Sequence, residues 1–372
     1  MRPIQVEIRY KVLTGTTETN SRQCVEHQPM DIEIILEPDI SPGQLAEIAV
    51  AAEGYGIKAL WASNYHQHWD AFLSLVPAAQ ATRKILLGPL AVSPYEMHPL
   101  KLANALLTLN ELSNGRARLA VGGGGSVLRW IKHDINPKEL RIVRGVREAV
   151  EIIRGAATGE LNDAYAGEIF EITRPFRMNW VKSSPAKVFT CSTEAQMLRM
   201  GARVADGLQL SDVALPMLDA AMKNVRIGLD QRELPADDFR VGNFWAWHIK
   251  HDREESMYEA RRELIWRGSL LPPFTLSPFL GDADERLVID HWDSFMKAYW
   301  TRSGNIEGVP GAIVNHLIAE LSSAGTLDDI DAELERYRQF AAAGLTDLAV
   351  RLFDNPMAGL KLIGEHVVPA FA

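Results

Sequence analysis

The chain has 372 residues, of which 47% are hydrophobic and 23% charged, and its formal net charge is −9. This composition is typical of a globular protein with a sizeable core, and the acidic balance excludes the basic surface that nucleic acid binding requires. The sequence has neither an apolar run near the roughly 20 residues that span a bilayer nor a secretory leader, and its two cysteines are too few for a disulfide framework or a metal cluster. We therefore expect a cytoplasmic protein that acts on a small molecule, with no metal, membrane or nucleic acid partner.

From Met30 onward, short β-rich runs alternate with amphipathic helical patterns. The eight runs are 31–37, 58–63, 84–92, 116–122, 187–191, 207–211, 240–249 and 345–352. They are nearly continuous apolar stretches rather than alternations, which indicates strands buried on both faces in a parallel sheet. Eight strands alternating with helices predict an α/β fold, a (β/α)8 TIM barrel. An open, doubly wound sheet is the alternative.

The helices between these runs have recognisable ends. The first begins at Ser41, whose hydroxyl is suited to cap free backbone N–H groups, and Pro42 occupies the first helical position. Gly54 or Gly56 is expected to end this helix, and Gly155 is expected to end the fourth. Apolar residues recur in these helices with a period of about 3.6, so each helix is predicted to bury one face.

Three segments interrupt the alternation of strands and helices. Residues 1–29 form an N-terminal extension to the barrel domain, 30–372, and residues 160–183 are predicted to contain a small hairpin. Residues 266–310 form a long aromatic-rich insertion between the seventh and eighth strands. Insertions of this length often cover an active site, so we expect a partly mobile lid. Its own small core is predicted to contain Trp266, Trp292 and Trp300.

Candidate site residues follow the strands, because the loops at the carboxyl ends of barrel strands share one face. The candidates are Asn64, Tyr65 and His66 after the second strand, Ser93 after the third, Gly122, Gly123, Gly124 and Gly125 after the fourth, and Cys191, Ser192 and Thr193 after the fifth.

Each candidate has a structural interpretation beside the functional one. The glycines let the backbone approach a bound ring closely, or they only turn a barrel corner. Ser192 and Thr193 are at a predicted helix start, where they bind phosphate or provide an ordinary helix cap. His66 exchanges a proton near neutral pH, or it is a solvent-facing loop residue. The sequence lacks nucleophile motifs such as GxSxG.

Taken in order, these motifs resemble the luciferase-like monooxygenase superfamily. They are most similar to its branch of methylenetetrahydromethanopterin reductases, which use coenzyme F420. The matching segments span about residues 30–370 and include KALWASNYHQHW, LNELSNGRARLAVGGGG and AAAGLTDLAVRLFDNPMAGLKLIGEHV. The resemblance implies the same barrel and an oxidoreductase that carries hydride on a flavin or a deazaflavin.

The resemblance also implies contacts with the cofactor. Relatives often have a non-prolyl cis peptide beside the cofactor ring, which falls at Leu90–Ala91 or Ala91–Val92 in this sequence. Ser93 matches a polar residue near the cofactor, Gly122–Gly125 matches the glycine-rich turn, and Cys191–Thr193 matches the phosphate-binding loop.

Several positions depart from the family pattern. Relatives usually carry an Asp-His pair where this chain has Asn64 and Tyr65, and an acidic residue where it has Gly125. Asn64 does not ionise, so either His66 takes over proton transfer or the reaction needs little acid-base help. Hydride transfer to an already cationic iminium needs little help, whereas oxidation of a sugar-phosphate hydroxyl is disfavoured.

Three functional hypotheses remain open. The first is an oxidoreductase that transfers hydride between coenzyme F420 and a small organic substrate. The second is an FMN-dependent monooxygenase on the same barrel, since a flavin reacts with oxygen and a deazaflavin carries hydride. The third is a flavin-binding protein without turnover. The resemblance also implies a homodimer that associates through early helices of the barrel.

Overall fold

The computed structural model describes residues 30–125, 128, 131, 136, 138–161 and 163–371, so the predicted N-terminal extension lies outside the described residues. The strands in this part of the chain are β1 (Asp31–Leu36), β2 (Ala59–Ser63), β3 (Leu86–Leu90), β4 (Arg118–Gly122), β5 (Tyr165–Ala166), β6 (Glu171–Ile172), β7 (Lys187–Cys191), β8 (Gly207–Ser211), β9 (Arg240–Ile249), β10 (Ser322–Gly325) and β11 (Asp347–Leu352). Each of the eight predicted runs contains one strand of a parallel sheet.

The parallel strands close into a ring. β1 lies between β2 and β11, and the order continues through β9, β8 and β7 to β4 on one side, and through β2 to β3 on the other. Two parallel bridges, Leu87–Ala117 and Val92–Val121, join β3 to β4 and complete the circle. The predicted (β/α)8 barrel is confirmed, and the open-sheet alternative is wrong.

Helices connect the strands and cover the outside of the barrel. They are α1 (Pro42–Tyr55), α2 (Val76–Ala81), α3 (Pro99–Leu112), α4 (Ile142–Thr158), α5 (Ala195–Val204), α6 (Leu215–Leu229), α7 (Arg253–Glu263), α8 (Asp282–Asp290), α9 (Trp292–Trp300), α10 (Gly311–Leu321), α11 (Ile330–Ala342) and α12 (Pro356–Leu362). Short 3₁₀ turns occur at Leu73–Leu75, Leu264–Trp266, Gly268–Leu270, Leu327–Asp329 and Val368–Ala370, and a π-helical turn at Ile363–Val367. Among the described residues, none of these helices combines the length and apolar character that crossing a bilayer requires.

The ends of α1 follow the sequence rules, and the end of α4 does not. The Ser41 hydroxyl accepts a hydrogen bond from the backbone N–H of Gln44, and Gly56 ends α1 in the left-handed region at φ +84°. In α4 the helix continues past Gly155 and ends at Gly159, with φ +76°. The predicted end at Gly155 is wrong because the apolar face continues for another turn. A β-carbon at Gly155 would lie 2.6 Å from the Leu161 side chain, so this glycine allows close packing.

The hairpin predicted within residues 160–183 is present as the antiparallel pair β5–β6. Sequence patterns missed β10, whose sequence SSAG has no apolar run. β10 pairs with the second half of β9, where Ala246 is the partner of both Ser322 in β10 and Arg351 in β11. β10 therefore lies on the edge of β9 opposite β11, beyond the point where β8 ends.

The insertion at 266–310 packs on the barrel instead of forming a core of its own. Its apolar side chains join the main core, among them Leu270, Leu276, Val288 and Phe295. Trp266 packs edge-to-face on Tyr299 with ring centroids 5.0 Å apart, and the Trp292 indole donates to the Leu270 carbonyl at 2.8 Å. Trp300 is 59% exposed, so its predicted place in a core is wrong.

A second, smaller apolar cluster fills the inside of the barrel. It takes one side chain from each of seven strands: Ile35, Trp61, Leu90, Ala120, Phe189, Phe244 and Ala349. Towards the amino ends of the strands lies a buried polar group, in which the Arg118 guanidinium is 2.6 Å from the Glu33 carboxylate and the Trp61 indole donates to the same carboxylate at 2.6 Å. Burial raises the pKa of Glu33 to about 7, against the lowering effect of Arg118.

Candidate active site

The carboxyl-terminal rim of the barrel carries polar side chains. Side chains alternate along a strand, so the residues two positions beyond the inner cluster also face inwards. At the ends of β1, β2, β4, β7 and β11 these residues are Glu37, Ser63, Gly122, Cys191 and Arg351. The rim is therefore the polar face of the barrel, as expected for an active site on this fold.

Asn64 connects the loop after β2 to the end of β3. Its backbone N–H donates to the Leu90 carbonyl at 3.1 Å, and its amide group donates to the Ala91 carbonyl at 3.4 Å. The Leu90–Ala91 peptide bond is cis, at one of the two positions predicted. Asn64 thus faces this peptide and does not line the cavity described below, whereas Tyr65 and His66 do.

Ser93 and the glycine run form the next part of the rim. Ser93 is fully buried, and its hydroxyl accepts a hydrogen bond from the backbone N–H of Tyr95 at 3.2 Å. Gly124 is next to Ser93 and has a φ of +96°, and a β-carbon at Gly124 would be 2.8 Å from the Ser93 hydroxyl. A β-carbon at Gly122 would be 3.1 Å from that of Ala91. The glycines therefore allow the loops after β3 and β4 to approach each other closely, and Gly123 and Gly125 complete the turn.

The loop after β7 continues the rim, since Cys191 pairs with Gly122 across β4 and β7. Burial and the nearby Asp212 raise the pKa of the Cys191 thiol to about 12, so it is not a nucleophile at neutral pH.

The start of α5 follows this loop. Glu194 occupies the N-cap position of the helix, and its side chain makes no capping hydrogen bond. The alternative that Thr193 caps this helix is therefore wrong. The Ser192 hydroxyl accepts from the backbone N–H of Glu194 at 3.1 Å. The described residues offer no acceptor for the next N–H groups, those of Ala195, Gln196 and Met197.

A cavity of about 230 Å³ opens on the other side of the rim, between the loops after β1, β2 and β11 and the insertion. Its wall combines aromatic rings with carboxylates, namely Tyr65, Trp266, Tyr299, Trp300, Phe353, Glu37, Asp39, Glu263 and Asp354. The candidate residues after β2, β3, β4 and β7 follow one another along the rim and form an arc. This arc meets the cavity at the loop after β2, where Tyr65 and His66 belong to both.

Glu37 and Arg351 connect the first and last strands at the cavity. The Arg351 guanidinium donates to Glu37 at 2.6 Å and to the Ser63 hydroxyl at 3.1 Å. Burial disfavours the charged form of Arg351 and lowers its pKa. The larger, opposite effect of Glu37 and other acidic neighbours raises the pKa of the guanidinium overall. Arg351 stays cationic, and one oxygen of the Glu37 carboxylate remains without a hydrogen-bond donor among the described residues.

Glu263 brings a second carboxylate to the cavity from the end of α7. It is 4% exposed, and Arg262 donates to it at 2.7 Å. Burial raises the pKa of Glu263, whereas Arg262 lowers it. Burial, with Glu263 and Glu37 nearby, also raises the pKa of Tyr299 to about 12, so its hydroxyl keeps its proton as a hydrogen-bond donor. The buried Trp266 indole N–H has no acceptor in the described part of the chain, and it lines the same cavity.

Glu96 lies behind the loop after β2. It accepts hydrogen bonds at 2.8 Å from the Asn64 amide and at 2.6 Å from the backbone N–H of Ser93, and its other oxygen is 3.6 Å from His66 Nε2. Burial raises the pKa of Glu96.

Sequence reasoning missed Glu37, Glu96, Glu263 and Arg351 as a group. Glu37 directly follows β1 and Arg351 is the second-last residue of β11, so the position of strand ends was a signal for both, whereas nothing local marks Glu96 or Glu263.

Comparison with known proteins identifies the family of this barrel. The sequence profile described as luciferase-like monooxygenase matches residues 22–347. The chain belongs to the luciferase-like monooxygenase family. It is 26% identical over 350 residues to a 5,10-methylenetetrahydromethanopterin reductase of Archaeoglobus fulgidus, which covers 91% of this chain and 99% of the relative. It is also 26% identical over 249 residues to an F420-dependent glucose-6-phosphate dehydrogenase of Nakamurella multipartita, with 62% of this chain and 70% of the relative covered.

Solved structures of other proteins share the fold. The coenzyme F420-dependent tetrahydromethanopterin reductase of Methanopyrus kandleri superposes with a TM-score of 0.75 at 19% identity, covering 92% of this chain and all of the other (100%). The FMN complex of the oxygenating constituent of 3,6-diketocamphane monooxygenase from Pseudomonas putida has a TM-score of 0.61 at 19% identity, with 92% and 98% covered. The profile match confirms the predicted family, and the solved structures confirm the barrel. The two relatives compared above by sequence are oxidoreductases.

Proposed function

We propose that this luciferase-like protein is a coenzyme F420-dependent oxidoreductase, which transfers hydride between the deazaflavin and a small organic substrate. The observation that carries the proposal is the meeting of two sites at Tyr65 and His66. On one side lies the arc from the Leu90–Ala91 peptide through Gly122 to Ser192, and on the other lies the aromatic cavity. A ring on the arc would present one edge to a substrate in the cavity.

The arc fits such a cofactor on two structural grounds. Gly122 faces inwards at the rim and lies beside Ala91, so a flat ring meets no side chain from this position. The first N–H groups of α5, a helix of ten residues, have no acceptor among the described residues and are close to the Ser192 hydroxyl. A helix N-terminus with free N–H groups and an adjacent hydroxyl suits the phosphate of a ribityl-linked cofactor.

The roles of this chain would be to bind, to orient and to supply protons. When bound, the deazaflavin supplies or accepts a hydride. Asn64 and the Leu90–Ala91 peptide would set the position of the ring, and Cys191–Thr193 would hold its phosphate. Tyr65, Tyr299 and Trp266 would position the substrate against the ring through aromatic contact and hydrogen bonds.

The cavity favours neutral or cationic substrates. Its wall carries four carboxylates, on Glu37, Asp39, Glu263 and Asp354, against the guanidinium groups of Arg262 and Arg302. Both arginines are already paired, Arg262 with Glu263 and Asp354, and Arg302 with Asp354. A phosphorylated sugar would find no unpaired arginine and no lysine in the described wall, so we infer a substrate such as an imine or iminium rather than a sugar phosphate.

Equilibrium titration tests the cofactor. We expect F420 to bind with micromolar or better affinity and the F420-bound protein to exchange hydride with a substrate. FMN is tested in parallel by absorption and fluorescence. Binding of FMN at micromolar concentration, with none detectable for F420, would contradict the proposal.

An FMN-dependent monooxygenase is the second candidate, because the FMN-bound monooxygenase structure shares this barrel over 98% of its length. Oxygen uptake with FMN and a reductant would favour it. A flavin-binding protein without turnover is the third, and turnover with either cofactor eliminates it. We also infer a cytoplasmic homodimer, for which light scattering of the purified protein measures the mass.

A further inference from the structure

We propose that Glu96 is the positioning residue of a His66 acid-base pair at the mouth of the cavity. This inference rests on the proposed oxidoreductase function. His66 would touch the substrate, and Glu96 would act only through His66, by holding the imidazole and stabilising its protonated form. None of the sequence motifs points to Glu96.

The carboxylate of Glu96 is fixed on one side and open towards His66 on the other. One oxygen accepts from the Asn64 amide at 2.8 Å and from the Ser93 N–H at 2.6 Å. The other oxygen is 3.6 Å from His66 Nε2. The Glu96 side chain is only 8% exposed, whereas that of His66 is 34% exposed and lines the cavity. The pair therefore has a buried, anchored anion and an accessible imidazole.

The pair replaces the groups that this chain lacks. Where the resemblance implies an acid and a histidine, this chain has Asn64 and Tyr65. The structure places a carboxylate against Asn64, contributed by Glu96 from the loop after β3, and an imidazole one residue later, at His66. The acid and the base are thus both present within the same two loops, at shifted positions.

The proton balance of the reaction fits this pair. Reduction of a neutral C=N or C=O group adds one hydride to carbon and one proton to the heteroatom. A reduced deazaflavin held on the arc would supply the hydride, and His66 would give the proton from Nδ1, which has no partner among the described residues while Nε2 faces Glu96. Solvent then returns a proton to the imidazole, which is accessible at the cavity mouth.

Other charged groups also surround the cavity, and their charges influence any titration measured there. They are Glu37 and Asp39 after β1, His68 beside His66, Arg262 and Glu263 from α7, and Arg302 and Asp354 near the end of β11. Glu96 is the group within salt-bridge distance of His66 in the described residues. A change confined to Glu96 therefore isolates the pair.

The decisive variant is Glu96→Gln, because a glutamine oxygen keeps both anchoring hydrogen bonds and only the charge facing His66 is lost. NMR of the cofactor-free protein follows the His66 imidazole signal, assigned by its absence in His66→Gln. We expect its titration midpoint to move to lower pH, because a close opposite charge is lost. Glu96→Asp should keep most of the effect, and Glu47→Gln on the exposed face of α1 should change nothing.

Steady-state kinetics distinguish a positioning role of Glu96 from a purely structural one. His66→Gln is expected to lower kcat about a hundredfold or more, and Glu96→Gln to shift the falling limb of the kcat profile to lower pH with little change in KM. An unmoved NMR midpoint in Glu96→Gln overturns the proposal, and so does a moved midpoint with an unchanged kcat profile. If Glu96→Gln does not fold, an unchanged kcat profile in His66→Gln overturns it instead. Because the NMR titration needs no cofactor, failure of the F420 assignment leaves its result interpretable.

Discussion

Replacement of Arg118 by methionine inside the barrel should destabilise the protein, and more so at high pH. The Glu33 carboxylate is fully buried and is held by Arg118 at 2.6 Å, by the Trp61 indole at 2.6 Å and by the Gln209 amide at 3.4 Å. In the Arg118→Met variant the carboxylate keeps the two neutral donors and loses its cation. Breaking a buried ion pair on one side costs about 3–5 kcal/mol.

The pH dependence follows from the pKa of Glu33, which burial raises to about 7 in the folded protein. A carboxyl group whose pKa is higher folded than unfolded takes up a proton on folding, so its contribution to stability is present at acid pH and lost as the pH rises. Removal of a neighbouring arginine raises a carboxyl pKa by about 1–3 units. With a rise of about two units at 1.36 kcal/mol each, the loss at pH 8.5 should exceed that at pH 5.5 by about 2 kcal/mol.

Urea unfolding, followed by tryptophan fluorescence at both pH values, measures this difference. The double variant Glu33→Gln/Arg118→Met is the control, because it has no ionisable carboxyl group at this position. Relative to the single Glu33→Gln variant, it should lose stability by the same amount at both pH values, through the lost contacts of Arg118 with the Trp61 and Phe189 rings. If the loss in Arg118→Met itself is equal at pH 5.5 and 8.5 within about 0.5 kcal/mol, the assignment of a buried, titrating Glu33 is wrong.

Three further predictions concern the site. Ser192→Ala should weaken F420 binding by about tenfold, the effect of losing one charge-assisted hydrogen bond, and unchanged fluorescence quenching would contradict a phosphate site there. Gly122→Ala, whose β-carbon would lie 3.1 Å from that of Ala91, should weaken cofactor binding by moving the loops after β3 and β4 apart, whereas Gly281→Ala, where a β-carbon meets no neighbour, should bind normally; equal affinities would contradict a ring at Gly122. Residues 266–310 should exchange amide hydrogens more slowly with cofactor and substrate present, and equal protection would indicate a fixed insertion.

Much of the fold was readable from the sequence because its signals are local. All eight barrel strands lie within the predicted apolar runs, and the Ser41 cap and the Gly56 end of α1 follow from residues adjacent in the chain. β10 was missed because its four residues, SSAG, are small and form a strand only by pairing with β9. Gly155 suggested a helix end, but the apolar face of α4 continues for another turn, and Gly155 lies within the helix, close to Leu161.

The sequence by itself determined the barrel, the rim on which the site lies and the residues that follow the strands, since periodicity and strand order need only near neighbours. Tertiary structure alone decided which of those residues meet. Ring closure brings Arg351 to Glu37, and the approach of two loops brings Glu96 to Asn64 and His66. These contacts join residues far apart in the chain, so no local pattern encodes them. The charges that they bury or pair, and therefore the proton chemistry of the site, exist only in the folded protein.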